Sequence, residues 1–344
     1  MSKLAKFKKA LTKKAESVNS SIGIGLSPIP EWISSGNMSL NYIASGHPEK
    51  FIPVGRQVFL SGPKGSGKSF LIGNLIAQSI AKGYFCVLID SENSIDEEFL
   101  EKVGVDVHDE DSFMAIRVFS VEEATTVISE LLKNTDKEDK IGIFIDSLSN
   151  LESSQEIEKF DQGEIASTQG LVQKKYKALI KSTGNRLGDR NAFAVYTTHV
   201  YQSQEKYGEE FVVSGGTSIQ FLPSIGVMMR AVPMKEGKDL LGVTVKCKTY
   251  KTRYQQSFLS TEFDLPWTKG MDKLDGITPI LEREGILERN GAWYSYIDVN
   301  GEIQKFQSKN IGDHIDELIA RFNQKNGKIE EKDDSEVGME MLTE

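Results

Sequence analysis

The stretch Val58-Phe-Leu-Ser-Gly-Pro-Lys-Gly-Ser-Gly-Lys-Ser69 decides how this chain is read. An apolar run enters a loop with the spacing Gly62-x-x-x-x-Gly67-Lys68-Ser69. That spacing is the P-loop pattern, and the chemistry explains it. The glycine-rich turn through Gly62, Pro63, Lys64, Gly65, Ser66 and Gly67 leaves room for backbone N–H groups to wrap phosphate oxygens. Lys68 brings a positive charge to the β- and γ-phosphates, and the Ser69 hydroxyl is a ligand for Mg²⁺. A helix is predicted from Ser69 to Ala81, with its N-terminal dipole facing the same phosphates. A glycine-rich turn could precede a helix by chance. A strand before and a helix after, all in register, make that the weaker reading.

The rest of the chain sets limits on this core. Its 344 residues allow one large domain with appendages, or two domains. Hydrophobic content of 39% and charged content of 26% match an ordinary soluble globular protein. Cys86 and Cys247 sit in apolar strand-like runs and read as core thiols of a reducing compartment, not as a disulfide. No apolar run reaches the ~20 residues of a membrane span. The basic N-terminus lacks the apolar segment of a secretory signal. The expectation is a cytoplasmic protein with no membrane partner. Net charge is −9, but unevenly spread. Met1 to Lys14 holds six lysines and no acid, while Glu330 to Glu344 holds seven acids and one lysine. Charge alone neither requires nor excludes an anionic partner.

Taken in order, residues 1–27 read as an N-terminal helix and linker. Leu4, Phe7 and Leu11 recur at helical spacing among lysines. A solvated arm and a helix that docks on a neighbouring subunit or an anionic surface both fit. Trp32 to Gly46 reads as a helix stopped by glycine. Phe85 to Glu92 is a second buried strand, ending in the two acids Asp90 and Glu92. Asp96 to Val103 reads as a short helix, Met114 to Phe119 as a strand, and Val121 to Lys133 as an amphipathic helix. Lys140 to Asp146 is an apolar strand closing on Asp146, the Walker B pattern of a Mg²⁺-holding carboxylate. Glu152 to Gly170 is polar and turn-prone. Leu171 to Asn185 is a helix carrying Lys174, Lys175, Lys177 and Lys181. Ala192 to His199 is a strand, Val200 to Thr217 a loop, and Ile225–Val232 and Gly242–Lys251 are further strands. Strands alternating with helices after a P-loop predict an α/β fold, a mostly parallel sheet flanked by helices. The core is expected over 28–264. A small α+β C-terminal domain follows over 265–324, then an acidic, disordered tail over 325–344.

Hydrolysis needs a group that activates water, and Glu92 is the candidate. It ends the strand after the P-loop helix, where a carboxylate can polarise water in line with the γ-phosphate. A plain surface acid is the alternative. His199 ends a strand at the same edge. With no His/Cys cluster to make it a metal ligand, it reads as a γ-phosphate-sensing residue or as an ordinary histidine. Lys246, Lys248 and Lys251 would cover phosphate from a neighbouring subunit or line a solvated strand face. The lysines of the 171–185 helix, with Lys206, Tyr207 and Tyr201 in the next loop, have the chemistry to neutralise and stack on nucleic acid. Lysines on a helix are also often simply solvated.

Together these motifs resemble the RecA-type strand-exchange recombinases, most closely the tailed-phage UvsX branch. The resemblance rests on Gly62-Pro-Lys-Gly-Ser-Gly-Lys-Ser69, Ile89-Asp-Ser-Glu92, Ile143-Phe-Ile-Asp-Ser-Leu-Ser-Asn-Leu151 and Gly291-Ala-Trp-Tyr-Ser-Tyr296. It covers residues 28 to 322, with the last motif in the small C-terminal domain of bacterial members. It implies an ATP- and Mg²⁺-using, DNA-dependent ATPase that forms filaments on single-stranded DNA and pairs it with duplex DNA. Mediator and single-strand-binding proteins would be further partners. The implied roles are residue-specific. Glu92 would be the water-activating base, Phe99 the aromatic on adenine, and His199 the γ-phosphate sensor where bacterial members have glutamine. Residues 153–170 and 200–217 would be the two DNA loops, with Lys174 a basic DNA contact and Gly215-Gly216 a loop-closing pair. Lys246 and Lys248 would reach the ATP of the next protomer. The N-terminal helix would build the filament and the acidic tail would restrain DNA binding. The loops themselves match poorly, which puts individual DNA contacts in doubt. A hexameric RecA-fold helicase shares the P-loop, Glu92 and Asp146 but not the Trp293 segment. A small-molecule P-loop kinase would show no response to DNA. A non-catalytic adaptor would have no need of Glu92.

Overall fold

The computed structural model describes residues 28–336 except 94, 166–169, 203–210, 238, 267–269 and 299, together with residues 5 and 9. Lys206, Tyr207 and most of the predicted N-terminal helix therefore lie outside the described residues.

An eight-stranded sheet forms the centre. Its strands are β3 (Gln57–Ser61), β4 (Phe85–Asp90), β5 (Phe113–Arg117), β6 (Ile141–Asp146), β7 (Ala192–Thr198), β10 (Ile225–Glu236), β11 (Asp239–Thr252) and β12 (Ser260–Pro266). Their order is β12-β11-β10-β3-β7-β6-β4-β5. From β10 to β5 every pairing is parallel, while β10–β11 and β11–β12 are antiparallel. The mostly parallel α/β fold predicted from the sequence is what the chain adopts. The parallel strands are covered on both faces, which is why they read as unbroken apolar runs.

Helices α2 (Lys68–Ile80) and α1 (Met38–Ser45) contribute to the core on one face, and α4 (Val121–Lys133) and α6 (Leu171–Leu187) to that on the other. Leu71, Ile72, Leu75 and Ile76 turn inward from α2, as do Ala124, Ile128 and Leu132 from α4. The short α3 (Glu97–Lys102) starts at Asp96, whose side chain accepts from the Phe99 N–H at 2.7 Å. Helix α4 begins at a capping box, with the Ser120 hydroxyl and the Glu123 carboxylate each meeting the other residue's backbone N–H.

Four segments depart from the sequence reading. Trp32 and Ile33 form β1 and pair with β2 (Ile52–Pro53), so the first helix starts only after the Asn37 cap. The polar 152–170 stretch contains α5 (Ser154–Asp161), begun by a second capping box between Ser153 and Glu156. The 200–217 loop contains an antiparallel ribbon of β8 (Val200–Gln202) and β9 (Phe211–Val213), followed by the short α7 (Thr217–Gln220). Strand β12 extends the sheet with Phe263 and Leu265 buried between exposed Ser260, Glu262 and Asp264.

The C-terminal part holds α8 (Thr278–Arg283), a meander of β13 (Glu288–Asn290), β14 (Trp293–Ile297) and β15 (Ile303–Gln307), and α9 (Ile315–Glu336). Its buried Tyr294, Tyr296, Phe306, Leu318 and Phe322 belong to the same apolar cluster as α1 and α2. Phe322 packs on Tyr42 of α1 with ring centroids 5.5 Å apart. The reading from sequence puts a disordered tail from residue 325, whereas the helix runs on to Glu336. Lysine and glutamate are good helix formers without any apolar partner.

The aromatic layer under the first sheet face gives the fold its test. Phe193 is fully buried, with Tyr84 and Phe144 at centroid distances of 5.3 and 5.7 Å. Phe193→Ala is expected to cost about 3–5 kcal/mol of unfolding free energy in urea titration. A loss under ~1 kcal/mol would show that this layer repacks freely.

Candidate active site

The carboxyl ends of β3, β4, β6 and β7 meet at one edge of the sheet, and the site is built there. The P-loop leaves β3 and enters α2. Gly67, the residue before the helix, has φ 85°, a conformation that suits glycine and turns the chain into the helix. The Lys68 ammonium is buried and donates to the carbonyls of Gly62 and Pro63, both at 2.9 Å. Burial lowers its pKa, and the carboxylates of Asp146 and Glu92 pull the other way.

Asp146 ends β6 at 1% exposure. The Thr197 hydroxyl of neighbouring β7 donates to Asp146 Oδ1. Burial pushes the Asp146 carboxyl up, opposed by the Thr197 and Ser69 hydroxyls and by Lys68. Asp146 Oδ2 is buried without a hydrogen-bond partner, and so is Ser66 Oγ in the P-loop. Buried polar atoms are costly unless something meets them. An acceptor oxygen beside Ser69 fits a cation, and a hydroxyl in the loop fits a phosphate oxygen. The residues present therefore suit Mg²⁺ and a polyphosphate.

Glu92 is held by a turn of its own strand end. The Asp90 side chain accepts from the backbone N–H groups of Glu92 at 3.0 Å and Asn93 at 2.8 Å. Serines tie the ends of β4 and β6 together. Ser91 Oγ donates to the Ser147 carbonyl at 2.7 Å and accepts from the Ser147 N–H at 3.0 Å. The His199 N–H in turn donates to Ser149 Oγ at 2.9 Å. These bonds set up the central contact, Glu92 Oε1 to His199 Nε2 at 2.7 Å. His199 first, and Ser147 and Lys68 after it, hold the Glu92 carboxyl below its ordinary value.

These groups line an open cavity of about 940 Å³. Lys64 to Phe70 form one wall, Glu92 and His199 another, and Phe99, Lys102 and Val103 a third. Val243, Leu265 and Pro266 close it from the antiparallel end of the sheet. Phe99 is half-buried against Phe70, with centroids 5.9 Å apart, so an aromatic face borders the cavity. Sequence reasoning missed the β11 and β12 residues here. The alternation of Phe263 and Leu265 with polar neighbours was the available signal.

His199 also immediately precedes the second predicted DNA segment, 200–217. Its carbonyl accepts from the Ser214 N–H at 2.8 Å, across the base of the β8–β9 ribbon. Gly215 follows with φ 102°, and a Cβ there would lie 2.5 Å from Ile219 Cδ1. Gly216 has φ 90°. The glycine pair therefore fits a tight closure that side chains would obstruct.

Other predicted residues are dispersed. Lys174 is exposed near the start of α6, while Lys181 lies two turns further on, beside Arg56 and Arg253. Lys246 pairs with Glu262 at 3.2 Å and Lys248 sits 5.6 Å over the Phe258 ring. Neither lines the cavity of its own chain.

Known proteins bear on this arrangement. The RecA N-terminal domain family model matches residues 16–272. The RecA protein of Rippkaea orientalis is 29% identical over 277 residues, covering 79% of this chain and 74% of the relative. The RecA protein of Arthrospira platensis is 27% identical over 310 residues, covering 89% of this chain and 78% of the relative. A mitochondrial DNA repair protein, the recA homolog of Dictyostelium discoideum, is 29% identical over 272 residues, with 78% and 57% covered.

The Glu92 carboxyl offers a direct check on the geometry. A carboxyl held low contributes stability above its ordinary value of 4.5 and loses it as pH falls through the folded value. Removing the imidazole in His199→Ala should move the Glu92 titration upward, followed by carbon NMR of the side-chain carboxyl. An unchanged titration would mean that His199 does not hold the carboxylate.

Proposed function

We propose a function from one established premise: this chain belongs to the RecA family. On that premise we infer an ATP-dependent recombinase that assembles on single-stranded DNA, pairs it with homologous duplex DNA and exchanges strands. Its setting would be recombination, repair and recombination-dependent replication in a cytoplasm. Histidine at 199, where bacterial members carry glutamine, supports a place near the tailed-phage UvsX branch.

The hydrogen bond from His199 to Glu92 carries this reading. It links the residue suited to activate water to the residue immediately before the β8–β9 ribbon. ATP phosphates would lie along the P-loop backbone and Lys68, with adenine against Phe99. Mg²⁺ held by Ser69 and Asp146 would supply positive charge beside the β- and γ-phosphates. Glu92 would orient a water and take its proton as the water oxygen bonds to the γ-phosphorus and the bond to the ADP oxygen breaks. ATP and water give ADP and phosphate. A γ-phosphate competing for His199 or Glu92 would alter their contact and shift the ribbon that follows His199.

The loops at 153–170 and 200–217 would meet DNA, with Lys174, Lys181, Lys206, Tyr207 and the Gly215-Gly216 closure taking part. Lys246 and Lys248 would reach the ATP of the next copy in a filament. Their position outside their own cavity is compatible with that role. No helix among the described residues is long and apolar enough to cross a membrane.

Single-stranded DNA should raise the steady-state ATPase rate at least ~10-fold, equal to about 1.4 kcal/mol of barrier. Lys68→Ala should abolish turnover. Glu92→Gln should lower it by about 10²–10⁴-fold while nucleotide and DNA still bind. A rate indifferent to DNA would favour the small-molecule kinase instead, and closed rings without filaments in electron microscopy would favour the helicase.

A further inference from the structure

Strand β6 turns sharply once it has delivered Asp146. Leu148–Asn150 form a single 3₁₀ turn directly after Ser147. Two residues along a strand span about 6.6 Å. The turn instead brings the Ser147 and Ser149 hydroxyls to 2.8 Å. Ser147 is fully buried, and its N–H and carbonyl both bond to Ser91 Oγ, so one end of this pair is fixed. Asn150 pins the same turn, its side-chain amide donating to the Ser91 carbonyl at 2.6 Å. Ser149 is half-buried and lies outside the lining of the nucleotide cavity. It accepts the His199 N–H at 2.9 Å. Ser149 also stands between the two predicted DNA segments. The first, 153–170, starts four residues after it, and the second, 200–217, starts directly after His199. With Phe160 and Ile165 of the first segment it lines one cleft.

The ends of this path fix its direction. A backbone N–H only donates, and a carboxylate only accepts. His199 first, and the Ser147 hydroxyl after it, hold the Glu92 carboxyl low, so Ser147 donates to Glu92. Ser147 Oγ is then left to accept from Ser149, and Ser149 Oγ accepts from His199. The bonds run head to tail from the His199 N–H through Ser149 and Ser147 to Glu92, and bonds so aligned polarise one another. We propose that, on the reading of Glu92 as the water-activating group, Ser149 is a positioning residue that links Glu92 to the main chain of both predicted DNA segments. A Glu92 that has taken a proton from water can donate to Ser147 in place of accepting from it. The two hydroxyls then turn, Ser149 Oγ accepts from both sides, and the alignment that strengthened the His199 bond is lost. No proton passes along the path; only the hydroxyls rotate.

Two measurements on the full-length protein test this, in wild type, Ser149→Ala and Ser149→Thr, the last of which keeps the hydroxyl. One is hydrogen exchange at the His199 amide, and the other is the steady-state ATPase with and without single-stranded DNA. In Ser149→Ala the His199 amide should exchange about 10-fold faster, and Ser149→Thr should restore its protection. With DNA present, kcat of Ser149→Ala should fall about 5–10-fold while KM for ATP and the affinity for Mg–ADP stay within about two-fold, and Ser149→Thr should recover kcat. An unchanged His199 exchange rate in Ser149→Ala overturns the proposal. So does faster exchange with an unaltered kcat. If the wild-type rate is indifferent to DNA, the recombinase reading fails, and faster exchange with a lowered kcat at unchanged KM still supports Ser149 as the residue that positions Glu92 and His199. Circular dichroism checks folding. If Ser149→Ala does not fold, the near-isosteric pair Ser149→Thr and Ser149→Val is read by the same outcomes.

Discussion

The contact between Glu92 Oε1 and His199 Nε2, 2.7 Å long, is the interaction on which the site depends. It joins residues 107 positions apart in sequence. It forms because two parallel strands, β4 and β7, end at the same edge of one sheet with β6 between them. The two side chains are not free to wander. Asp90 holds the Glu92 backbone, and Ser149 holds the His199 backbone. A bond between a carboxylate and an imidazole at a cavity wall is a contact that a nearby phosphate can compete with. The same bond therefore ties Glu92 to the segment after β7.

The surrounding fold makes that edge rigid and the far side of it adjustable. Parallel strands covered on both faces bury Phe59, Leu88, Ile145 and Val195 completely or nearly so, and apolar helices lock them from each side. Asp146 stays buried in the same layer, with one oxygen satisfied by Thr197 and the other unpaired. By contrast, the β8–β9 ribbon is two short strands of three residues each, closed at its base by the Ser214–His199 bond and two glycines. A two-stranded ribbon of that length has little stability of its own. Its position is set by what holds its base.

Much of this was legible in the sequence, for a physical reason in each case. The P-loop spacing is backbone chemistry and shows in one stretch. Buried parallel strands print as apolar runs, so β4 and β6 were readable to within one or two residues, and α4 showed in its amphipathic spacing. Asp90, Glu92, Asp146 and His199 follow because residues at strand ends share an edge whatever the strand order. Less was legible where pairing partners are remote. Trp32 and Ile33 look helical until β2 is known. Strand β12 alternates as an edge strand should, but its partner β11 was itself read too short. The β8–β9 ribbon lies in a polar stretch with no long apolar run. Ser149 and His199 meet only through the fold, since nothing in their spacing brings them together. Whether Lys246 and Lys248 serve another copy is a property of assembly that no single chain contains.

The central claim is that nucleotide state passes through Glu92 and His199 to DNA. Coupling of this kind is a free energy between two sites and can be measured as one. The measurement is single-stranded DNA affinity with a non-hydrolysable Mg–ATP analogue and with Mg–ADP, in wild type and in His199→Ala. The account predicts that wild type binds DNA at least ~10-fold tighter with the ATP analogue, about 1.4 kcal/mol of coupling, and that His199→Ala loses most of that difference. An undiminished difference in His199→Ala would contradict it.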